Sequence, residues 1–259
     1  MSRKHAAPIG RGLVASFLLS VVLPALSSAQ GGPGFLFKQP TVTIKFETGY
    51  GVQRANSEIF DHVFDWFVKR DSIDIGRRDF DAPYIGGEIA FRASERWDVA
   101  LGVGWGNSSV DSEFRRWLDL DDLPIEQVTT LLLVPITLSA KYYFRDRGRT
   151  VGRFAWVPST VNAYFGGGFG FTYYKFEQVG DFVDFETLDI FTSHFKSTGT
   201  GLQVHSLAGI DLSISNNVYL TGEGRYLWAD AGISERSFQG FDDVDLSGFQ
   251  FTIGISARF

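Results

Sequence analysis

The chain contains no cysteine, one methionine and four histidines among its 259 residues. The absence of cysteine excludes disulfides, thiolate metal sites and a cysteine nucleophile. Beyond residue 26 the sequence also lacks an apolar run of the roughly 20 residues that a transmembrane helix needs. The fold must therefore follow from how ordinary apolar and polar residues alternate along the chain.

The first 29 residues are typical of a secretory signal peptide. A basic start is followed by a mostly apolar run and by small residues at a cleavage site: Arg3, Lys4 and Arg11, then residues 13–26, then Ser27 and Ala29. The alternative, a membrane anchor, needs a longer run. We expect a signal peptide over residues 1–29, whose loss changes the formal net charge from -6 to -9, because it carries three basic and no acidic residues. That balance argues against a nucleic-acid partner.

Alternation of apolar and polar residues, the period of a β-strand, recurs eight times after the signal. It predicts strands over residues 41–51, 84–93, 97–105, 131–144, 161–174, 202–213, 218–228 and 248–259. Long connections alternate with shorter ones, as in outer-membrane barrels, where the long loops face outwards. The connection 145–160 is long for a periplasmic turn, and its glycines and proline predict irregular structure.

One face of every expected strand lacks charge, and the other face carries all the strand charges. A basic residue at mid-membrane costs about 2–4 kcal/mol, so the uncharged face is the one that lipid requires. The other face has five basic and five acidic residues, which predict a neutral, ion-paired and filled lumen: Lys45, Glu47, Glu88, Arg92, Asp98, Lys141, Asp211, Glu223, Arg225 and Arg258. The pattern predicts one domain over residues 30–259, an all-β, eight-stranded antiparallel transmembrane up-and-down β-barrel.

A soluble barrel of the lipocalin type fits the same alternation if the two faces are exchanged. Its charges would then lie in water, and nearly all the aromatic side chains would crowd one small interior. The sequence therefore favours the membrane barrel over this alternative.

The end of the chain resembles the C-terminal signal of bacterial outer-membrane barrels, an aromatic residue preceded by apolar residues at alternate positions. The residues that carry this resemblance are Phe251, Ile253, Ile255, Ala257 and Phe259. Segments 134–144, 163–171 and 220–226 resemble the fourth, fifth and seventh strands of the small OmpW/OmpX-like barrels, the "outer membrane protein beta-barrel domain" group. The long turn 145–160 departs from that group.

This resemblance covers most of the mature chain and implies location more than activity. It implies an outer-membrane protein with a periplasmic N-terminus, inserted by the barrel-insertion machinery and surrounded by outer-membrane lipid and lipopolysaccharide. We expect a monomer. The group includes adhesins, small channels and lipid-modifying enzymes, so the resemblance selects no single function.

Catalytic and metal sites have little support in the sequence. A lipid A deacylase would use His, Ser and an acid, but alternation sends Ser206 to the face opposite His205, so the two cannot share a site near Glu223. We expect His205 to be a hydrogen-bonded lumen residue. Two loops contain acidic clusters without EF-hand spacing, which we interpret as solvated loops: Asp119, Asp121 and Asp122, and Asp242, Asp243 and Asp245. No catalytic residue, metal or cofactor is therefore predicted.

The expected outer loops are unusually apolar. Spacings of three and four residues in the first and third loops predict short amphipathic helices. These side chains either pack together as a cap over the barrel mouth or form a ligand or partner surface: Phe60, Phe64, Trp66, Phe67, Trp117, Phe185 and Phe191.

Three functional hypotheses follow. The first is a non-enzymatic outer-membrane barrel whose loops bind a ligand, lipopolysaccharide or a protein partner. The second is a passive channel for small apolar compounds, as in OmpW-like barrels, and the third is a lipid A-modifying enzyme. A closed ring of ion pairs in the lumen favours the first, whereas a gap in the wall favours the second.

Overall fold

The computed structural model describes residues 34–69, 74–118, 123–184 and 186–259. Within these ranges the chain is all-β, as predicted. The expected signal peptide lies outside the described residues. The strands are β1 (Val42–Gln53), β2 (Ala82–Arg92), β3 (Trp97–Leu118), β4 (Pro124–Tyr143), β5 (Gly148–Val151), β6 (Ala155–Pro158), β7 (Val161–Val183), β8 (Ile190–Ser213), β9 (Val218–Ala231), β10 (Val244–Asp245) and β11 (Gly248–Arg258).

Eight of these strands pair in a closed antiparallel ring, in the order β1–β2–β3–β4–β7–β8–β9–β11. Each ring strand pairs with its neighbours along the chain, and the first strand meets the last. In that closing ladder Thr43 lies opposite Arg258, and Gln53 lies opposite Gly248. Strand β10 adds two residues to the end of β9.

The ring strands alternate in burial because successive side chains of a strand point to opposite faces. On β11, Phe251 and Ile253 are exposed on the outside, whereas Thr252 between them is buried inside. Glycine makes room for inward tyrosines: a Cβ at Gly104 would collide with the side chain of Tyr84. The interior is therefore shaped around large side chains.

Two hairpins extend further than the alternation predicts. Strand β3 continues to Leu118 and β4 begins at Pro124, so the expected second loop is mostly strand. Strand β7 continues to Val183 and β8 begins at Ile190, so the helix predicted in the third loop is wrong. In its place Phe182 pairs with Phe191 across an antiparallel ladder.

The helix predicted in the first loop is confirmed as α1 (Glu58–Trp66), which is followed by a short 3-10 helix (Arg77–Phe80). The acidic Glu58 and Asp61 lie in the first turn of α1, where the helix dipole favours negative charge. Its buried face presents Ile59, Phe60 and Val63, at helical spacing. Among the described residues, no helix combines the length and the apolar character needed to cross a membrane.

The connection 145–160, predicted to be irregular, contains the β5–β6 hairpin. Thr150 lies opposite Trp156, and Trp156 also forms a bridge with Leu36. Trp156 is buried, whereas Phe154 at the turn is exposed. The hairpin thus forms a small two-stranded sheet between β4 and β7, and one bridge connects it to the segment before β1.

Candidate functional site

The centre of the ring holds an ionic cluster of six charged side chains. It comprises three cations and three carboxylates from four strands: Lys45 and Glu47 on β1, Glu88 on β2, Lys141 on β4, and Glu223 and Arg225 on β9. All six side chains are at most 5% exposed. The sequence predicted these residues for the lumen, and the structure brings them together as one electrically balanced group.

Glu223 and Glu88 hold the cations of this cluster. Lys141 Nζ lies 2.5 Å from Glu88 Oε1 and 3.0 Å from Glu223 Oε2. Lys45 Nζ lies 2.9 Å from Glu47 and 3.1 Å from Glu223. An Arg225 guanidinium nitrogen lies 2.7 Å from Glu223 Oε1. Charges buried in this way are stable only when each is paired, so the cluster depends on all its members.

A second layer lies nearer the end of the ring that carries the β5–β6 hairpin. Arg258 binds Asp211, whose other oxygen accepts a hydrogen bond from Thr221 at 2.8 Å. The guanidinium of Arg258 also lies over the ring of Tyr219, 3.8 Å from its centroid. These contacts pair two more of the predicted lumen charges.

Asp98 has a partner that the strand pattern did not reveal. Arg147, in the connection before β5, points back into the ring and places its Nη1 2.6 and 2.5 Å from the two carboxylate oxygens of Asp98. It also stacks on Tyr143 at 4.5 Å and donates to the carbonyl of Ser94. The alternation of apolar and polar residues along the strands could not predict a lumen position for Arg147, because this residue belongs to no ring strand.

Arg92 is not brought into this network. It is half-buried at the end of β2, where it donates to the backbone carbonyls of Ser94 and Pro40. These hydrogen bonds connect the β2–β3 turn to the segment before β1. The prediction that Arg92 is one of the ion-paired lumen residues is therefore corrected. Because Arg92 lies at the end of its strand, its long side chain binds the backbone carbonyls nearby.

Two small cavities lie inside the ring. One cavity of about 20 Å³ lies above the cluster, beside Tyr84 and Pro135, and one of about 10 Å³ lies among Lys45, Glu88 and Asp211. Each has room for about one water molecule.

His205 lies inside the ring and Ser206 outside, as alternation predicts. The partner of His205 is Ser139, whose hydroxyl lies 2.8 Å from the ring Nε2. A hydrolytic triad needs a carboxylate at the other nitrogen, but Nδ1 has no hydrogen-bond partner within the described part of the chain. Both residues are buried, so this pair presents no accessible nucleophile.

The far end of the ring is closed by an apolar cap. Its buried members come from the β1–β2 connection that contains α1, from the ends of the extended strands and from the segment between β9 and β11: Ala55, Ile59, Phe60, Val63, Phe67, Ile75, Phe80, Val110, Phe114, Ile125, Leu131, Tyr174, Phe176, Ala229, Ala231, Phe238, Val244 and Leu246. Aromatic pairs stabilise it, such as Phe60 and Phe176 with ring centroids 5.9 Å apart. The loops therefore pack on one another over the interior.

The predicted loop residues divide between the core and the surface of this cap. Phe60 and Phe67 are buried, and Phe64 packs against the core. Trp66 is 39% and Phe191 41% exposed. Phe185 and the side chain of Trp117 lie outside what the structure describes. The exposed aromatics leave an apolar surface on the cap.

His62 links α1 to the rest of the cap. Its ring stacks on Trp66 at 5.5 Å and meets Phe241 edge-on at 5.6 Å. Burial lowers the pKa of His62 below 6.5, opposed only in part by the nearby carboxylate of Asp65. The partial burial of this imidazole thus disfavours its charged form.

Of the two acidic clusters, the first (Asp119, Asp121 and Asp122) lies outside the described residues. In the second, Asp245 accepts hydrogen bonds from the backbone N–H groups of Asn56 at 3.1 Å and Ser247 at 2.9 Å. In the described ranges, no group of three or more His, Asp or Glu side chains is arranged to hold a metal ion.

The outside of the ring is an apolar belt, defined as the large apolar side chains on the outward face of the ring strands. On each strand at least one such side chain is well exposed: Phe46 on β1, Ile89 on β2, Leu101 on β3, Ile136 on β4, Phe169 on β7, Val204 on β8, Trp228 on β9 and Ile253 on β11. Phe46 and Ile253 are each 64% exposed. With charges inside and apolar groups outside, the faces have the orientation opposite to that of a soluble lipocalin-type barrel.

The wall of the ring has one irregular place within the belt. The β3–β4 ladder passes from Val103 opposite Ile136 to Gly106 opposite Leu133, which leaves two positions unpaired. Pro135 lies in this gap and has no N–H to donate. It also lines the cavity of about 20 Å³. The interruption of the ladder therefore lies next to the larger of the two cavities described above.

No protein-family model and no curated protein matches the chain. Several solved structures are similar to it. The outer membrane protein OprG from Pseudomonas aeruginosa is 17% identical, with a TM-score of 0.49 over 86% of this chain and 99% of that one. Neisserial surface protein A is 14% identical, with a TM-score of 0.46 over 89% and 100%. Ail, the attachment invasion locus protein of Yersinia pestis, is 9% identical, with a TM-score of 0.44 over 86% and 100%. At this level of likeness, function has to be argued from this chain's own residues.

Proposed function

We propose that the chain is a non-enzymatic, eight-stranded transmembrane β-barrel of a bacterial outer membrane, closed to solutes, which acts through its apolar cap. The observation that carries this proposal is the combination of an exposed apolar belt with a balanced ionic cluster inside it. Exposure of such a belt to water is energetically unfavourable, and monomeric soluble proteins rarely expose contiguous apolar patches of more than a few hundred Å². Lipid favours the same surface and strongly disfavours charge on it.

Several finer features belong to the same proposal. Residues 30–259 form the barrel after removal of the signal peptide, and the N-terminus lies in the periplasm. The alternate apolar residues from Phe251 to Phe259 serve as the insertion signal for the barrel-insertion machinery, supported by their outward orientation on the closing strand. The barrel acts as a monomer in contact with lipid and lipopolysaccharide.

A closed lumen favours a function in binding at the surface of the cap, rather than transport through the barrel. The two cavities described beside the ion-paired layers each hold about one water molecule, which supports a lumen closed to solutes. Trp66 and Phe191 are partly exposed, so the cap offers an apolar surface to a ligand or partner outside the cell. The Ser139–His205 pair is buried and has no third member among the described residues, which supports a non-enzymatic role.

The first test is refolding of the purified protein into lipid vesicles, followed by a heat-modifiable gel shift and conductance in a planar bilayer. We expect a shift and no conductance. A matched variant, Glu88→Ser with Lys141→Ser, removes one charge of each sign and much volume, so it is expected to conduct in small steps. Failure to insert would refute the membrane barrel, and steady conductance of the unaltered protein would refute the closed lumen.

The interrupted ladder at Pro135 favours a second candidate function, a passive route for small apolar compounds through the wall. Such compounds would pass between β3 and β4 without crossing the ionic cluster. Pro135→Ala restores an N–H and should strengthen this ladder. Faster uptake of a small apolar dye into vesicles containing the unaltered protein than into those containing Pro135→Ala would favour this candidate, and equal uptake would count against it.

A further inference from the structure

A group of cations lies on the outer wall where β7 and β8 rise beyond the belt. Glu177 on β7 is its centre: its carboxylate lies 2.6 Å from Lys175 Nζ, 3.4 Å from His194 Nε2 and 3.7 Å from Lys196 Nζ. His194 and Lys196 come from β8, where Lys196 lies directly opposite Glu177. Two strands therefore contribute to one compact group, named here the rim cluster.

The rim cluster begins where the run of exposed aromatic side chains on β7 ends. Phe169, Phe171 and Tyr173 are the successive exposed aromatics on the outward face of β7. The next residue on that face is Lys175, about 7 Å further along the strand. Aromatic residues mark the edge of the apolar core in membrane barrels. The rim cluster therefore lies at the height of the lipid headgroups, at the end of the barrel that carries the cap.

The charge of the rim cluster is not balanced. A hydrogen bond from Lys175 is the main cause that lowers the pKa of Glu177, so this carboxylate is ionised at neutral pH. One carboxylate faces two lysines. Thr198, opposite Lys175, and Thr200, opposite Tyr173, add exposed hydroxyl groups.

In the described part of the chain, the β4 positions directly opposite this group carry no carboxylate. On the β4 side, the residues opposite Lys175 and Glu177 are Leu132 and Thr130. On the β9 side, the acidic Asp230 lies opposite Leu202, which is three outward positions of β8 away from Lys196. The local excess of positive charge thus remains available to an anion.

We propose that the rim cluster, Lys175, His194 and Lys196 held around Glu177, binds the phosphate of a lipid headgroup in the outer leaflet. Ammonium groups and hydroxyls are suitable donors to phosphate oxygens, and charge-assisted hydrogen bonds of this kind are roughly twice as strong as neutral ones. A lipid is the occupant because the site is continuous with the belt, so one molecule can place its acyl chains on Phe171 and its phosphate on the lysines. This inference rests on the proposed membrane barrel.

The test compares two lipids that differ only in phosphate. The purified protein is refolded in phosphatidylcholine vesicles that contain either diphosphoryl lipid A or dephosphorylated lipid A, and the lipid retained after extraction is counted by native mass spectrometry. We expect retention of the phosphorylated lipid to exceed that of the other on the order of tenfold, since each lysine near a charged surface contributes to binding. Lys175→Gln with Lys196→Gln should abolish this preference.

Two further variants separate attraction to phosphate from effects on folding. Arg54→Gln removes an exposed cation beyond the end of β1, paired with Asp245 at 3.7 Å, and should leave the preference unchanged. Glu177→Gln removes the carboxylate that opposes an anion and should increase retention of the phosphorylated lipid. A decrease with Glu177→Gln, or equal loss with Arg54→Gln, would overturn the proposal.

The outcome also distinguishes this inference from the proposed function. Insertion into plain phosphatidylcholine with no preference for phosphorylated lipid would overturn the rim site and leave the barrel intact. Failure to insert would overturn the barrel itself. Competition by millimolar inorganic phosphate as effective as that by lipid A would assign the site to free phosphate and overturn the lipid assignment.

Discussion

Replacing Glu223 by glutamine is the most direct perturbation of the interior. This carboxylate has more partners than any other in the ionic cluster. It lies 3.1 Å from Lys45, 3.0 Å from Lys141 and 2.7 Å from Arg225, and it accepts a hydrogen bond from Tyr164 at 2.7 Å. Glutamine keeps its shape and removes its charge, so the change isolates electrostatics from packing.

The magnitude follows from the charge balance. After Glu223→Gln, three buried cations face only Glu47 and Glu88. Leaving one buried charge uncompensated costs about 3–5 kcal/mol, which is a large part of the roughly 5–15 kcal/mol that stabilises a typical domain. The variant should therefore insert less completely and unfold at a much lower concentration of denaturant.

The assay is equilibrium unfolding in urea of the protein refolded in lipid vesicles, read by tryptophan fluorescence and by the gel shift. Glu186→Gln, at the exposed tip of the β7–β8 hairpin, is the matched control and should stay within about 0.5 kcal/mol of the unaltered protein. Adding Lys141→Met to Glu223→Gln leaves two cations facing two carboxylates and should recover part of the loss. A Glu223→Gln variant as stable as the control would refute the reasoning.

Three other perturbations have defined outcomes. Ile253→Arg puts a charge on the belt and should cost about 2–4 kcal/mol; insertion equal to that of Ile253→Leu, measured by the gel shift, would contradict the outward assignment. Arg147→Met leaves Asp98 buried without its partner and should cost about 3–5 kcal/mol in urea unfolding; a loss below about 1 kcal/mol would mean that Arg147 is dispensable. Because the pKa of His62 is lowered in the folded cap, the unfolded cap binds more protons as the pH falls through 6.5, so acid should destabilise the cap. Limited proteolysis of the loops at pH 5 and pH 7 measures this, and His62→Gln should remove the difference.

The faces of the ring could be predicted because a period of two is a local property of the sequence. Once Val99 and Leu101 are assigned outwards, Asp98 must point inwards, whatever lies on the other strands. The same local rule separated His205 from Ser206. It says nothing about which charges meet, since Lys45 and Glu223 are brought together only by closure of the ring.

The extent of the strands was harder to predict. Phe191 and Phe195 are four residues apart, a spacing that fits one face of a helix and one face of a strand equally well. The structure resolves this ambiguity in favour of the strand, because Phe182 and Phe195 meet across the hairpin with ring centroids 4.6 Å apart. Arg147 could not be found from periodicity at all, because its role depends on a contact with a distant strand.

The origin of the ionic cluster in four different strands has a consequence for how the barrel assembles. An intermediate with β1, β2 and β4 in place would contain Lys45, Glu47, Glu88 and Lys141, but Glu223 and Arg225 arrive only with β9. Until β11 pairs with β1, the sheet has two open edges, and the charged side chains on its inner face remain hydrated. The water at these charges can leave only when β11 pairs with β1. We therefore expect closure of the ring and dehydration of its interior to occur together, as one late step. The pairing of the final strand then determines when insertion into the membrane is complete.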